Sequence, residues 1–287
     1  MGKVLLTGAT GFIGNHLVDL LRSEGFDVRC LVRKTSNISN LVGKVEFVYG
    51  EVTSPESLEE AVRGVDYVVH LAGVVKALNS EGYYKVNTQG TINLFNATLK
   101  NNPSVKRFVF VSSQAASRPS EIPISEVEPS APVTSYGKSK LEAERFLNQN
   151  LDKLPITIIR PSAVYGPGDK EFLPVYQMIS KGIEVLVKGG RTKVSFVYVK
   201  DLVRSIYLAM ISEKTVGKTY FSCHPEVVQL MDFYRAIEEA LGKKFVLRIR
   251  VPVPIMYFAA AINTGIAKLL RTPAMFNFEK VNELTNS

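Results

Sequence analysis

The chain has 287 residues, 46% of them hydrophobic and 22% charged, a balance that excludes disordered and fibrous proteins. Its formal charge of +8 comes from singly scattered Lys and Arg, with no basic run interleaved with aromatics, so no nucleic-acid partner is expected. Cys30 and Cys223 lie far apart and match no zinc spacing, which fits a reducing, cytoplasmic setting and no metal site.

In chain order, short β-branched runs alternate with helical patterns. Val4-Leu5-Leu6 reads as a strand, Ile13 to Glu24 as a helix, and Val28 to Val32 and Val45 to Tyr49 as strands. A helix over Ser57 to Val62 precedes a strand over Tyr67 to Leu71, and a helix over Val86 to Lys100 precedes one over Phe108 to Val111. Ser135 to Asn150 is the fourth helix, and Ile156 to Ile159 the next strand. The strands are apolar on both faces, as in a parallel sheet covered by helices on both sides. The fold class expected is α/β, a Rossmann-type doubly wound parallel sheet.

After Pro161 the regularity fades. Helices are read over Phe172 to Lys181, Lys200 to Ile211 and Leu230 to Leu241, with short strands at Val194 to Val197 and Val246 to Ile249. This part is expected to form a smaller C-terminal substrate-binding lobe at the carboxyl edge of the sheet, where ligands of open α/β sheets bind. Tyr165, Phe172 and Met178 are candidates either to line its pocket or to fill its core. Val251 to Leu270 is apolar but broken by Pro252, Pro254, Asn263, Gly265 and Lys268, and makes a poor membrane span.

The first strand ends in Thr7-Gly8-Ala9-Thr10-Gly11-Phe12-Ile13-Gly14, and a helix follows at once. Gly8 suits the tight turn, Gly11 lets backbone approach a pyrophosphate, and Gly14 allows close helix–strand packing. The N–H groups that open the helix would meet the phosphates. Residues 1–165 are therefore read as a dinucleotide-binding domain, and 166–287 mainly as the substrate-binding lobe, with some segments returning to the core. An NAD site usually carries a carboxylate at the end of its second strand. Here the sequence is Leu31-Val32-Arg33-Lys34, so Arg33 and Lys34 are read as partners of a 2′-phosphate and NADP is preferred over NAD. The alternative is an ordinary basic turn.

Tyr136-Gly137-Lys138-Ser139-Lys140 sets a phenol and an amine one helical turn apart on the same face. A free phenol titrates near 10, too high for proton exchange at neutrality, and a neighbouring ammonium lowers it. Tyr136 would then give a proton to a carbonyl oxygen, or take one from an alcohol. Ser112 and Ser113 follow the preceding strand, and Ser113, one step further from it, is the hydroxyl chosen to hold the substrate oxygen.

Together these motifs resemble the extended short-chain dehydrogenase/reductase family, also described as the NAD-dependent epimerase/dehydratase family. The likeness runs over nearly the whole chain, through Leu71-Ala72-Gly73, Asn87 to Thr91, Val111-Ser112-Ser113, Arg160-Pro161 to Gly168 and Val199-Lys200-Asp201. It implies that Asn87 steadies the active-site helix and a proton-relay water, and that Lys140 holds the nicotinamide ribose. Thr10, Phe12 and Ile13 would join the glycine loop at the cofactor. Leu71, Ala72 and Gly73 would line it, Pro161, Ser162 and Val164 would flank the nicotinamide, and Glu51 and Val52 would lie near the adenine. It implies a homodimer through the 86–100 and 135–150 helices, and a small-molecule substrate.

Gln114 and Ala115 stand where sugar-nucleotide dehydratases carry an Asp-Glu pair, and Val194 where many epimerases carry a diphosphate-binding arginine; Arg191 or Lys193 would replace it only in a shifted register. The second-strand ending and the apolar C-terminal stretch look more like dihydroflavonol-reductase-like and hydroxysteroid-dehydrogenase-like members, which act on apolar ketones or alcohols. The expected function is an NAD(P)-dependent ketone/alcohol oxidoreductase; the alternatives are an NAD-dependent nucleotide-sugar epimerase and a non-catalytic NADP(H)-sensing protein.

Overall fold

The computed structural model describes residues 2–187, 190, 192–270, 272 and 278–285. It opens with β1 (Lys3–Thr7), α1 (Phe12–Ser23), β2 (Asp27–Val32), β3 (Glu46–Tyr49), α2 (Glu59–Val62), β4 (Tyr67–His70) and α3 (Ser80–Tyr83). A π-helical turn over Tyr84–Gln89 runs into α4 (Gly90–Asn101), followed by β5 (Arg107–Val111), α5 (Ser135–Asn148), β6 (Ile156–Pro161) and β7 (Ala163–Tyr165). Then come α6 (Leu173–Ser180), β8 (Ile183–Val187), β9 (Lys193–Val194), β10 (Phe196–Tyr198), α7 (Val199–Ile211) and β11 (Lys218–Ser222). The last elements are β12 (Val228–Gln229), α8 (Leu230–Ala240), β13 (Leu247–Val251), α9 (Val253–Leu269) and α10 (Phe278–Thr285).

The central sheet has seven parallel strands in the order β11-β6-β5-β4-β1-β2-β3. The chain winds outward from β1 in both directions, so the crevice opens between the carboxyl ends of β1 and β4. The apolar runs of the strands follow from burial on both faces. In β1, Val4 and Leu6 join the cluster that includes Leu17 of α1 and Leu202 of α7, while Leu5 joins the one that includes Leu94 of α4 and Leu147 of α5. Each such fully buried aliphatic side chain contributes about 1.5–3 kcal/mol.

The later half departs from its sequence pattern in definite ways. The expected strand over 194–197 breaks at Ser195: Val194 pairs antiparallel with Val228, whereas Phe196–Tyr198 pairs in parallel with β7. The strand expected at 246–249 lies at Leu247–Val251, because its register is set against β8. β7, β8 and β11 carry no clear strand signal, yet β11 supplies the sheet's seventh strand by pairing with β6. The helix expected from Val86 begins as the π turn. Val253–Leu269 is a continuous helix, since Pro254 falls in its first turn, where no intrahelical N–H is needed. Among the described residues, no helix is long and apolar enough to cross a membrane.

Candidate active site

The glycine loop joins β1 to α1 at the carboxyl edge of the sheet. It turns at Gly8, with φ of 76°, and a Cβ on Gly14 would lie 2.3 Å from the Gly8 carbonyl oxygen. That contact is the close packing expected of the third glycine. Gly11 is the N-cap of α1 and offers no side-chain acceptor, so the N–H groups of the first turn, Phe12 and Ile13 included, gain no cap from it. Helix α5 differs, because the Thr134 hydroxyl accepts from Gly137 N at 3.0 Å. From the far side, the 165–168 segment reaches α1 where the Pro167 carbonyl accepts from His16 Nε2 at 2.8 Å.

Arg33 and Lys34 follow β2 directly, and both side chains are exposed and free of ion pairs among the described residues. Glu51 is exposed beyond β3, its N–H donating to Ser57 Oγ at 3.1 Å. Val52 is buried, and its carbonyl accepts from Asn93 Nδ2 at 2.9 Å.

Behind the loop lies a buried polar chain that the sequence pattern does not reveal. Ala72 N donates to Thr7 Oγ1 at 3.1 Å, and Thr7 Oγ1 lies 2.7 Å from His70 Nδ1. His70 Nε2 lies 3.0 Å from Thr91 Oγ1, which donates to the Asn87 carbonyl at 2.6 Å. These contacts are mutually satisfied when Thr7 donates to Nδ1 and Nε2–H donates to Thr91, which is a neutral imidazole. Burial, aided by the charge of Lys140, holds the His70 pKa down to about 3, in keeping with a neutral ring. The chain links the ends of β1 and β4 to the turn bearing Asn87. A polar residue closing an otherwise apolar strand was its one sequence signal.

Asn87 sits in the π turn, a distortion common at functional sites. Its Oδ1 accepts from Val74 N at 2.8 Å, and its Nδ2 donates to the Val74 carbonyl at 3.1 Å and to Ser139 Oγ at 3.0 Å. Thr88 Oγ1 donates to the Ser139 carbonyl at 2.8 Å. Val74, which follows Leu71-Ala72-Gly73, and helix α5 are thus both fastened to one turn. The helix also presses on the turn after β5, since a Cβ on Gly137 would lie 2.1 Å from the Ala115 carbonyl oxygen. This brings Tyr136, half-buried and with its ring 6.3 Å from that of Tyr83, beside the segment that begins at Ser113.

Lys140 is buried one turn further along, its Nζ donating to the Val111 carbonyl at 2.9 Å and lying 4.6 Å from the Phe110 ring centre. Burial pulls its pKa down to about 8, against the opposing pull of Glu144. Below that pH Lys140 is an ammonium one helical turn from Tyr136; as pH rises through it, the charge is lost. Any turnover that depends on this charge should therefore fall above pH about 8, and Lys140→Arg, whose charge persists, should move that limb upward.

Ser113 Oγ accepts from Ala115 N at 3.1 Å, which leaves the hydroxyl proton available. Ser112 is buried next to it, and its hydroxyl has no partner among the described residues. Pro161 ends β6; Ser162 is buried with a hydroxyl similarly unpartnered, and Val164 lies in β7. The uncapped N–H groups that open α1 at the carboxyl edge of the sheet are what the phosphates of a dinucleotide would satisfy, so the residues fit one. Beyond them Tyr165, Phe172, Phe196 and Phe233 form an aromatic cluster, with Phe196 and Phe233 stacked at 4.3 Å. Met178 is half-buried in α6, Val194 pairs within the lobe, Lys193 donates to the Glu121 carbonyl at 3.0 Å, and Arg191 lies outside the described residues.

Residues 4–221 match the family model described as the NAD dependent epimerase/dehydratase family. The chain is 30% identical to ceramide reductase of Caulobacter vibrioides, over 100% of this chain and 85% of that one. It is 31% identical to 3-beta-hydroxysteroid dehydrogenase of Mycolicibacterium neoaurum, over 85% and 71% of the two chains. Its fold superposes on the crystal structure of gox2253 with a TM-score of 0.78 and 27% identity, covering 98% of this chain and 87% of that one.

Proposed function

This chain belongs to the NAD dependent epimerase/dehydratase family, and we propose that within it the chain is a reversible, NADP-preferring oxidoreductase of apolar ketones and secondary alcohols. The reading rests above all on one observation: a buried Lys140 one turn from a half-buried Tyr136, on a helix fastened to Asn87. A bound nicotinamide dinucleotide supplies or accepts the hydride. Tyr136 gives its proton to the carbonyl oxygen and recovers it from the alcohol in reverse. Lys140 lowers the phenol's pKa and holds the ribose, Ser113 donates to the substrate oxygen, and Asn87 supports the proton relay. Gly8, Gly11 and Gly14, with Thr10, Phe12 and Ile13, would cradle the pyrophosphate. Glu51 and Val52 would face the adenine, Leu71 to Gly73 the adjoining wall, and Pro161, Ser162 and Val164 the nicotinamide.

NADP preference is carried by Arg33 and Lys34, which offer two free cations and no carboxylate at the end of β2. Arg33→Ala should raise the KM for NADPH by roughly tenfold or more, the worth of a lost charge-assisted pair, and leave that for NADH unchanged. Equal effects on both cofactors would remove Arg33 from the 2′-phosphate. The apolar substrate class follows from the aromatic cluster beyond β7 and from Val194, which offers no charge to a sugar diphosphate. A homodimer through the 86–100 and 135–150 helices and a cytoplasmic setting complete the reading.

The test is to denature the purified protein and identify any nucleotide it releases. A protein that releases none, and then oxidises NADPH with apolar ketones, fits an enzyme that exchanges cofactor at each turnover. Stoichiometric NAD would overturn this in favour of an epimerase, which retains its cofactor through each cycle.

A further inference from the structure

The buried polar chain behind the glycine loop does not stop at Asn87. The Asn87 amide donates to Ser139 Oγ at 3.0 Å, and Ser139 Oγ donates in turn to the Tyr136 carbonyl at 2.7 Å. Joined to the bonds from Ala72 N through Thr7, His70 and Thr91, these make one continuous run of hydrogen bonds. It starts beside Gly8, at Thr7, and ends on the backbone of Tyr136 in α5. Thr7, His70, Thr91, Asn87 and Ser139 are all fully buried, so a link that is lost leaves a polar group unsatisfied.

His70 is the joint of this run. The hydroxyls on either side of it are already committed: Thr7 Oγ1 accepts from Ala72 N, and Thr91 Oγ1 gives its proton to the Asn87 carbonyl. A ring that accepts at Nδ1 and donates at Nε2 completes both. Because the imidazole is a rigid plane, it fixes the separation of those hydroxyls, and with them of β1 and α4. The start of the loop is seated against the same segment, since a Cβ on Gly8 would lie 2.8 Å from Ala72 N. The His70 ring also lies 5.6 Å from that of Phe110, over which Lys140 Nζ sits at 4.6 Å.

We propose that His70 is a positioning residue, whose imidazole couples the seating of the glycine loop to the placement of Tyr136. Its effect on turnover rests on the reading of Tyr136 as proton donor; the coupling itself rests on the bonds alone. A shift of Thr7 as phosphates settle on the loop is passed through the ring to the π turn and α5.

Helix α4 holds a natural comparison that separates this role from plain structural support. Thr98, two turns beyond Thr91, is equally buried and makes the same bond to the carbonyl four residues back, at 2.8 Å, but stands outside the run. The experiment compares Thr91→Val, Thr98→Val and Thr91→Ser with the parent, each as the full chain. It follows the Tyr136 signal in NMR of the tyrosine-labelled protein, identified by its loss in Tyr136→Phe, and the kinetics with NADPH and an apolar ketone. Both valines should lower the melting temperature alike. Only Thr91→Val should move the Tyr136 signal and lower kcat, by about tenfold or more, with the KM for NADPH within about threefold of the parent. Thr91→Ser, which keeps the hydroxyl, should recover most of that loss. His70→Phe should reproduce Thr91→Val; if it fails to fold, the threonine variants decide.

A Tyr136 signal that answers Thr91→Val and Thr98→Val equally, or neither, would overturn the proposal. So would an unchanged kcat in Thr91→Val where Tyr136→Phe abolishes turnover. Turnover that survives Tyr136→Phe would instead sink the reading of the tyrosine, and the NMR signal, which needs no substrate, would then decide the coupling by itself.

Discussion

Replacing Tyr136 with phenylalanine should lower turnover by roughly 10²- to 10⁴-fold while the affinity for nicotinamide cofactor stays as it was. The substitution removes only the phenol oxygen; the ring, its contact with Tyr83 at 6.3 Å and the Gly137 contact beneath it remain. The elements proposed to face the cofactor keep their own bonds, from Ala72 N to Thr7 Oγ1, from Val74 N to Asn87 Oδ1 and from Lys140 Nζ to the Val111 carbonyl. Loss of rate with retained binding is therefore the signature of a missing proton donor. It is read by steady-state kinetics beside a fluorescence titration with NADPH. Turnover within tenfold of the parent would mean that the proton comes from elsewhere.

The second large effect is expected at a pair remote from substrate. Glu144 lies one turn beyond Lys140, and both of its oxygens accept from Arg160 of β6, Nη2 at 2.6 Å and Nε at 3.0 Å. The two side chains are 1% and 6% exposed. Arg160 also donates to Ser130 Oγ at 3.3 Å and lies 5.6 Å from the Phe221 ring centre. Glu144→Gln would leave a buried guanidinium without its counter-charge, at a cost of about 3–5 kcal/mol in chemical denaturation. Adding Arg160→Met should recover most of that loss, because the neutral pair strands no charge. Where Glu144→Gln stays folded, its alkaline rate limb should lie below that of the parent, since Glu144 props up the Lys140 pKa. A double-mutant cycle showing no coupling would place the stabilisation in packing alone.

The half of the fold that was legible is the half whose strands are buried on both faces. Val4 to Leu6 and Phe108 to Val111 have no polar position to confuse with a helix, and the glycine loop announces itself by its place after the first of them. The lobe was illegible because its strands pair in twos, and local alternation carries no record of the partner. Ser195 divides two strands that read as one. Lys218–Ser222 has only Ser222 buried, so nothing marks it as a sheet strand until β6 is beside it. At the candidate site, Tyr136 and Lys140 were legible by residue type and spacing, and Asn87 only through the family resemblance. His70 was not, because its contacts are to hydroxyls at Thr7 and Thr91 that only the fold brings to its two nitrogens.

The seventh strand also governs when this protein becomes safe from aggregation. Until Lys218–Ser222 has been synthesised, β6 is an open edge, with a row of unpaired N–H and C=O groups along Ile156–Pro161. Every element read as the dinucleotide-binding domain has by then left the ribosome. A polypeptide ending at residue 165 would therefore keep the glycine loop and the tyrosine helix, but would expose a template on which a second chain could add. The chain is one folding unit by topology, however clearly its two halves divide by pattern.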